Sequence, residues 1–180
     1  MNQYLNNAVL VMICCLFFIP LQAQNTKEKT DISRSQEAIE YFLEEDAKIK
    51  KFFDEAYAYV VFPSIGKGGI GLGGAHGNGI IYKEGSPYGR ASVTQASIGF
   101  QLGGQSFMEI IFFKDQRAFD NFIEGKLKLG ASASAVAITE GAAASAAYND
   151  GVAVFTAVKG GLMYEASVGG QKFKYKPFEG

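Results

Sequence analysis

Along a β-strand, successive side chains point to opposite faces. Between residues 70 and 82 one face carries Gly71, Gly73, Ala75, Gly77 and Gly79; the other carries Ile70, Leu72, His76, Asn78 and Ile80. The pattern returns later in the chain. Ala131, Ala133, Ala135 and Ala137 share a face opposite Gly130, Ser132, Ser134 and Val136, and 142–147 holds no large side chain. Glycine weakens a strand interior and marks a place where another group comes close. Protein interiors are filled to crystal-like density, so a floor of Gly and Ala needs bulky partners. Three arrangements meet that need. Helices can lie on the floor through Phe42, Phe52, Phe53, Phe119 and Phe122. The floor can line the narrow lumen of a small barrel. It can also receive a flat or long apolar ligand, such as a lipid.

The elements around these faces follow from periodicity. Ile39, Phe42, Leu43, Ile49 and Phe53 fall at three- and four-residue spacings, which predicts an amphipathic helix over 33–55. Ser33 with Gln36 fits a capping box. Acids dominate its first half, and Lys48, Lys50 and Lys51 its end, an order that suits the helix dipole. From Ala56 the pattern becomes strands and glycine turns: 57–62 stopped by Pro63, then 70–82, a strand ending near Leu102, and 107–113. Asp115 caps a second helix over 116–124, closed by Gly125. Strands over 127–138, 142–148, 152–158, 162–168 and 171–176 complete the chain, with joints such as Asn149-Asp150-Gly151. The expected fold is mainly β (α+β). It is an antiparallel Gly/Ala-rich barrel or sandwich of about nine strands, with an N-terminal amphipathic helix and a second short helix.

The N-terminus carries a different signal. Ala8 to Ile19 is an unbroken apolar run, ended by Pro20 and followed by Leu21-Gln22-Ala23. A run this short falls below the ~20 residues of a membrane span, and the small residue at its end fits a secretory cleavage site. The alternative is an N-terminal membrane anchor. The organisation expected is therefore 1–23 signal peptide, 24–32 polar tether and 33–180 a single domain, exported to the periplasm or beyond the cell. Cys14 and Cys15 lie inside the apolar run, so a mature chain has neither disulfides nor thiolate chemistry.

The motifs of catalysis fail on context. Gly69-x-Gly71-x-x-Gly74 matches a dinucleotide fingerprint by letters, but that motif must open a helix. Here it runs into Ala75-His76-Gly77-Asn78-Gly79. No GxSxG elbow occurs, and Glu109, Asp115 and Glu140 are scattered. His76 is the one histidine, too few donors for a His-based metal site. The chain reads as a non-enzyme without cofactor. A net charge of −1 offers no basic footprint for nucleic acid.

Two basic stripes remain. Lys172, Lys174 and Lys176 alternate with Phe173 and Tyr175, and Lys126 and Lys128 flank Leu127. Such lysines suit a solvated edge strand, where they discourage pairing. They also suit a patch for anionic headgroups, at about 1 kcal/mol per lysine near a charged membrane.

The stretches AYAYVVFPSIGKGGIGLGGAHGNGIIY, SIGFQLGGQSFMEIIFF and FIEGKLKLGASASA, in that order, resemble the SYLF domain. The resemblance runs from about Ala56 to Lys176. That family is a lipid-binding module, also described as an actin-binding domain in fungal members. The resemblance implies binding rather than catalysis. It makes helix 33–55 a membrane-contacting element, with Lys48, Lys50 and Lys51 as its basic end. The actin role is not carried over, since an exported protein does not meet cytoplasmic actin. The functional expectation is an exported module for a lipid or anionic membrane surface. Its expected contacts are Lys48, Lys50, Lys51, Lys126, Lys128, Lys172, Lys174 and Lys176. The alternative is a cell-envelope structural or protein-interaction domain without a lipid ligand.

Overall fold

A computed structural model describes residues 26–70, 72–98, 105–127, 129, 135–158 and 170–178. The expected signal peptide, Lys128 and the expected strand 162–168 lie outside these residues. The chain divides into two compact units, Met1–Ser33 and Arg34–Gly180. Of the first, residues 26–33 are described and are helical.

Helix α1 covers 34–45 of the second unit. The single helix expected over 33–55 is broken here. A 3-10 turn (Ala47–Ile49) follows, and then a short helix α2 (Lys50–Glu55). The break is at Asp46, whose extended backbone leaves the helix while its carboxylate accepts the Lys48 N–H at 3.0 Å. The same carboxylate accepts the Ala143 N–H at 2.8 Å. Ser33 lies within a helix rather than at a start, so it caps nothing.

Seven strands follow among the described residues: β1 (Ala58–Ile70), β2 (Leu72–Lys83), β3 (Ser86–Ile98), β4 (Gln105–Phe113), β5 (Val136–Ala137), β6 (Val152–Val158) and β7 (Gln171–Pro177). They form one sheet in the order β5-β6-β4-β1-β2-β3-β7. All neighbours are antiparallel except β5 with β6. The mainly-β α+β expectation holds. The barrel or sandwich does not, because among the described residues the sheet is single and its terminal strands do not pair. Residues 142–148 are not a strand either. Gly141 takes a left-handed φ of 82°, and a four-residue helix α4 (Ala142–Ser145) follows, fixed by Asp46. The expected joint at Asn149-Asp150-Gly151 is a tight turn, as is the link between β2 and β3. Glu84-Gly85 and Asp150-Gly151 both have positive φ at each residue, as right-twisted hairpins require.

Pro63 does not end a strand. β1 runs through it, and its register against both neighbours shifts between Val61 and Ile65. Proline has no N–H for a ladder, so a bulge is where a central strand can hold one. The bulge tips β1 over β2. A Cβ at Gly79 would stand 2.5 Å from the Val61 carbonyl oxygen and 2.7 Å from the Phe62 ring. At Gly77 it would stand 2.8 Å from the Ile65 side chain. The bulky partner of the glycine floor is therefore the adjacent strand's own Phe62, not a helix.

With Phe62 lying over the floor, the sheet curls. Phe62 on β1 reaches Phe173 on β7, ring centroids 6.1 Å apart, across β2 and β3. Inside the curl, Val60, Ile111, Phe113 and Val154 pack with helix α3 (Gln116–Ile123). Its Phe122 meets Phe113 at 4.9 Å and Phe173 at 5.2 Å. Asp115 caps α3 as expected, accepting the Ala118 N–H at 2.8 Å. The outer face has its own core. Phe52 of α2 contacts Phe112, Phe155 and Tyr148, and Phe53 packs edge-on to Tyr59 and Phe112. The rings of α2 and α3 thus meet aromatic side chains of β1, β3, β4, β6 and β7.

Candidate functional site

β7 alternates as its sequence requires. Gln171 and Phe173 are buried toward the inside of the curl and Tyr175 is half-buried, while Lys172, Lys174 and Lys176 are exposed on the outer face. Register extends that outer face across the sheet. Lys172 pairs with Thr94, Thr94 with His76, His76 with Gly66 and Gly66 with Ser106. The next row runs from Lys174 through Ser92 and Asn78 to Ser64. Ser64 Oγ and Ser106 Oγ share a hydrogen bond of 2.8 Å. A Cβ built at Gly66 or Gly68 meets nothing within 4 Å, so this part of the face is flat and open.

The charge is one-sided. β1, β2, β3 and β7 carry Lys67, Lys83, Arg90, Lys172, Lys174 and Lys176, and not one carboxylate. The acids concentrate in 28–46 (Glu28, Asp31, Glu37, Glu40, Glu44, Glu45, Asp46), so near-neutrality of the whole chain hides a basic sheet. Lys67 points inward and is 8% exposed, and Lys83 shares that face, opposite Ala58 with its ammonium over the Tyr57 and Tyr88 rings.

The other predicted lysines are not all brought to this face. Lys48, Lys50 and Lys51 sit on the 3-10 turn and α2, which packs over β1, β4 and β6. β2 and β3 separate them from β7 in the sheet order. Lys50 is engaged by Asp54 at 2.6 Å, and Lys51 lies 4.9 Å from the Phe52 ring centroid. Lys126 is beside β7, since a Cβ at Gly125 would stand 3.5 Å from the Phe173 carbonyl oxygen. Its ammonium is paired with Glu124 at 2.6 Å, an ion pair that raises its pKa.

A second polar group was passed over in the sequence. Glu109 is fully buried inside the curl, opposite Phe62 on β1 and Thr156 on β6. Burial pushes its carboxyl up to about 7, against a smaller opposing pull from the Gln171 hydrogen bond. The available signal was parity. Glu109 shares a strand face with Phe107, Ile111 and Phe113, an acid on an otherwise apolar stripe.

Comparison with known proteins bears on this arrangement. The family model described as Ysc84, Las17-binding protein actin regulator, matches residues 94–176. The matched segment is similar to the SYLF domain. It opens at Thr94 on β3 and closes at Lys176 on β7, and so contains Glu109, Gln171 and the β7 lysines. A similar curated protein is "Beta cell expansion factor A" of Aeromonas veronii, 28% identical over 130 residues. Those residues are 72% of this chain and 49% of the relative, so the chain spans about half of that protein's length. The SYLF family is known for actin or lipid binding and is generally non-enzymatic.

Proposed function

We propose that this SYLF protein is exported and docks on anionic membrane surfaces through the outer face of β7. The observation that carries the reading is the placement of Lys172, Lys174 and Lys176 on one exposed face, continuous with strands that hold no carboxylate. A long-stemmed lysine can reach a headgroup while its stem covers the sheet. At about 1 kcal/mol each, three lysines supply about 3 kcal/mol, a roughly hundredfold preference for a charged bilayer. On the rows ending at Ser64 and Ser106, Gly66 has no side chain to hold a surface away. The N-terminal pattern of 1–23 supports export, which puts the periplasm or the extracellular side in contact with the protein.

Co-sedimentation with phosphatidylglycerol vesicles and with phosphatidylcholine vesicles tests this. Binding to the first, weakened by added salt, is expected. Equal absence from both pellets at low salt would remove the lipid reading and leave a protein-interaction domain of the cell envelope.

A further inference from the structure

Inside the curl the core is not wholly apolar. Lys67, Gln95, Glu109, Thr156 and Gln171, from five different strands, are all buried there. Among them one contact spans the sheet. Gln171 Nε2 on β7 donates to Glu109 Oε2 on β4 at 2.9 Å, although β1, β2 and β3 lie between those strands. Glu109 is 0% exposed and Gln171 3%. Among the described residues, the second oxygen of each, Glu109 Oε1 and Gln171 Oε1, is buried without a hydrogen-bond partner.

These two oxygens are both acceptors when Glu109 is ionised, and buried acceptors without donors are costly. One proton changes both at once. On Glu109 Oε1 it makes a donor for Gln171 Oε1, and the acid and amide then hold each other by two hydrogen bonds. We propose that Glu109 and Gln171 form a proton-dependent clasp that holds β7, and with it the lysine stripe, onto the curled sheet. Ionisation of Glu109 breaks the second hydrogen bond and leaves a carboxylate in an apolar setting.

The surroundings give the carboxylate little else. Phe62 faces it from β1 and Thr156 from β6, and Gly77 and Gly79 of β2 have no side chains. Phe122 lies on the α3 side against Phe173. The charged side chain buried on this face is Lys67, at the Gln105 position of the ladder, beyond the Phe107 rung from Glu109. β7 is the last strand of the described sheet, laddered to β3 on one side. Loosening the clasp therefore frees the strand that carries the docking lysines. This regulation rests on the membrane reading of those lysines, whereas the clasp itself does not.

Hydrogen exchange of the 171–177 amides in the full chain, at about pH 5 and about pH 8, tests the clasp. Rates are corrected for intrinsic exchange, and phosphatidylglycerol vesicle binding is measured in parallel. Loss of a buried hydrogen bond predicts that opening of β7 rises about tenfold at the higher pH in the wild type, with weaker vesicle binding. In Glu109→Gln it should not change with pH. An equal pH response in Glu109→Gln, or none in the wild type, overturns the clasp. Should Glu109→Gln fail to fold, Gln171→Leu serves, expected to open at low pH as readily as the wild type at high pH. The same openness in Gln171→Leu as in the wild type at low pH also overturns it. A pH-gated β7 in a protein that binds no vesicle would sustain the clasp and refute the membrane reading. Vesicle binding with pH-indifferent β7 exchange would do the reverse.

Discussion

Phe62 of β1 and Phe173 of β7 meet with ring centroids 6.1 Å apart although two whole strands separate them in the sheet. The contact exists because β2 has no side chains in the way. Gly77 and Gly79 let the bulged β1 lean inward, and Phe62 occupies the space that Cβ atoms would otherwise fill. The small-residue floor is thus a device for curling a sheet.

Substitution at Gly79 should report that directly. Gly79→Ala puts a methyl 2.5 Å from the Val61 carbonyl oxygen, and backbone cannot swing aside as a side chain can. Overpacking of this kind costs about 1–3 kcal/mol. Gly66→Ala, where nothing lies within 4 Å, should stay within about 0.5 kcal/mol of the wild type. Urea unfolding of the two variants compares them, and equal destabilisation would contradict the close approach.

The outer core has a similar test. Phe52 is 2% exposed and contacts Phe112, Tyr148 and Phe155. Phe52→Ala should cost about 3–5 kcal/mol. A loss below about 1 kcal/mol in chemical denaturation would mean that α2 is not essential to this core.

Stability should also depend on pH from two sides. Glu109 has its folded pKa raised, to about 7, above the ordinary value of 4.5. The folded state then binds the proton more tightly. Its contribution is complete below about pH 4.5, declines as pH rises and is gone above about 7. The span corresponds to about 3 kcal/mol. Asp46 has the opposite sign. Burial opposes its charge, but the backbone N–H groups of Ala143, Lys48 and Gly141 outweigh that and hold the pKa below the usual range. Its contribution is present above the unfolded aspartate pKa and is lost as pH falls through the lowered folded value. Thermal unfolding across pH should show Glu109→Gln flattening the alkaline decline while leaving the acid one. A wild-type profile flat from about pH 5 to about pH 8 would contradict this.

How far the sequence foretold this structure depends on which interaction decides each element. Alternation identified the inward and outward faces of β2 and β7, because a period of two follows from strand geometry alone. Asp115 and Gly125 bracketed α3 because capping is local. The reading failed where a distant partner decides. Pro63 reads as a stop until β2 and β4 flank it on a bulge. Ala142–Ser145 reads as strand until Asp46, 97 residues away from Ala143, caps it. Barrel closure depended on whether the ends of the sheet pair, which no local pattern encodes. Of the candidate lysines, the β7 set shares a face because it shares a strand. The α2 set lies elsewhere because α2 packs through Phe52 and Phe53. Glu109 stood on an apolar stripe in plain sight, but its partner Gln171 lies 62 residues on, on a strand brought near only by the curl.

The central claim is that the outer face of β7 meets an anionic membrane. Vesicle co-sedimentation of two triple variants decides it. Lys172, Lys174 and Lys176 are changed together to Gln in one, and Lys48, Lys50 and Lys51 in the other. The β7 variant should lose affinity for phosphatidylglycerol vesicles about a hundredfold. It should unfold within about 0.5 kcal/mol of the wild type. The α2 variant should bind nearly as the wild type does. Undiminished binding by the β7 variant would contradict the account.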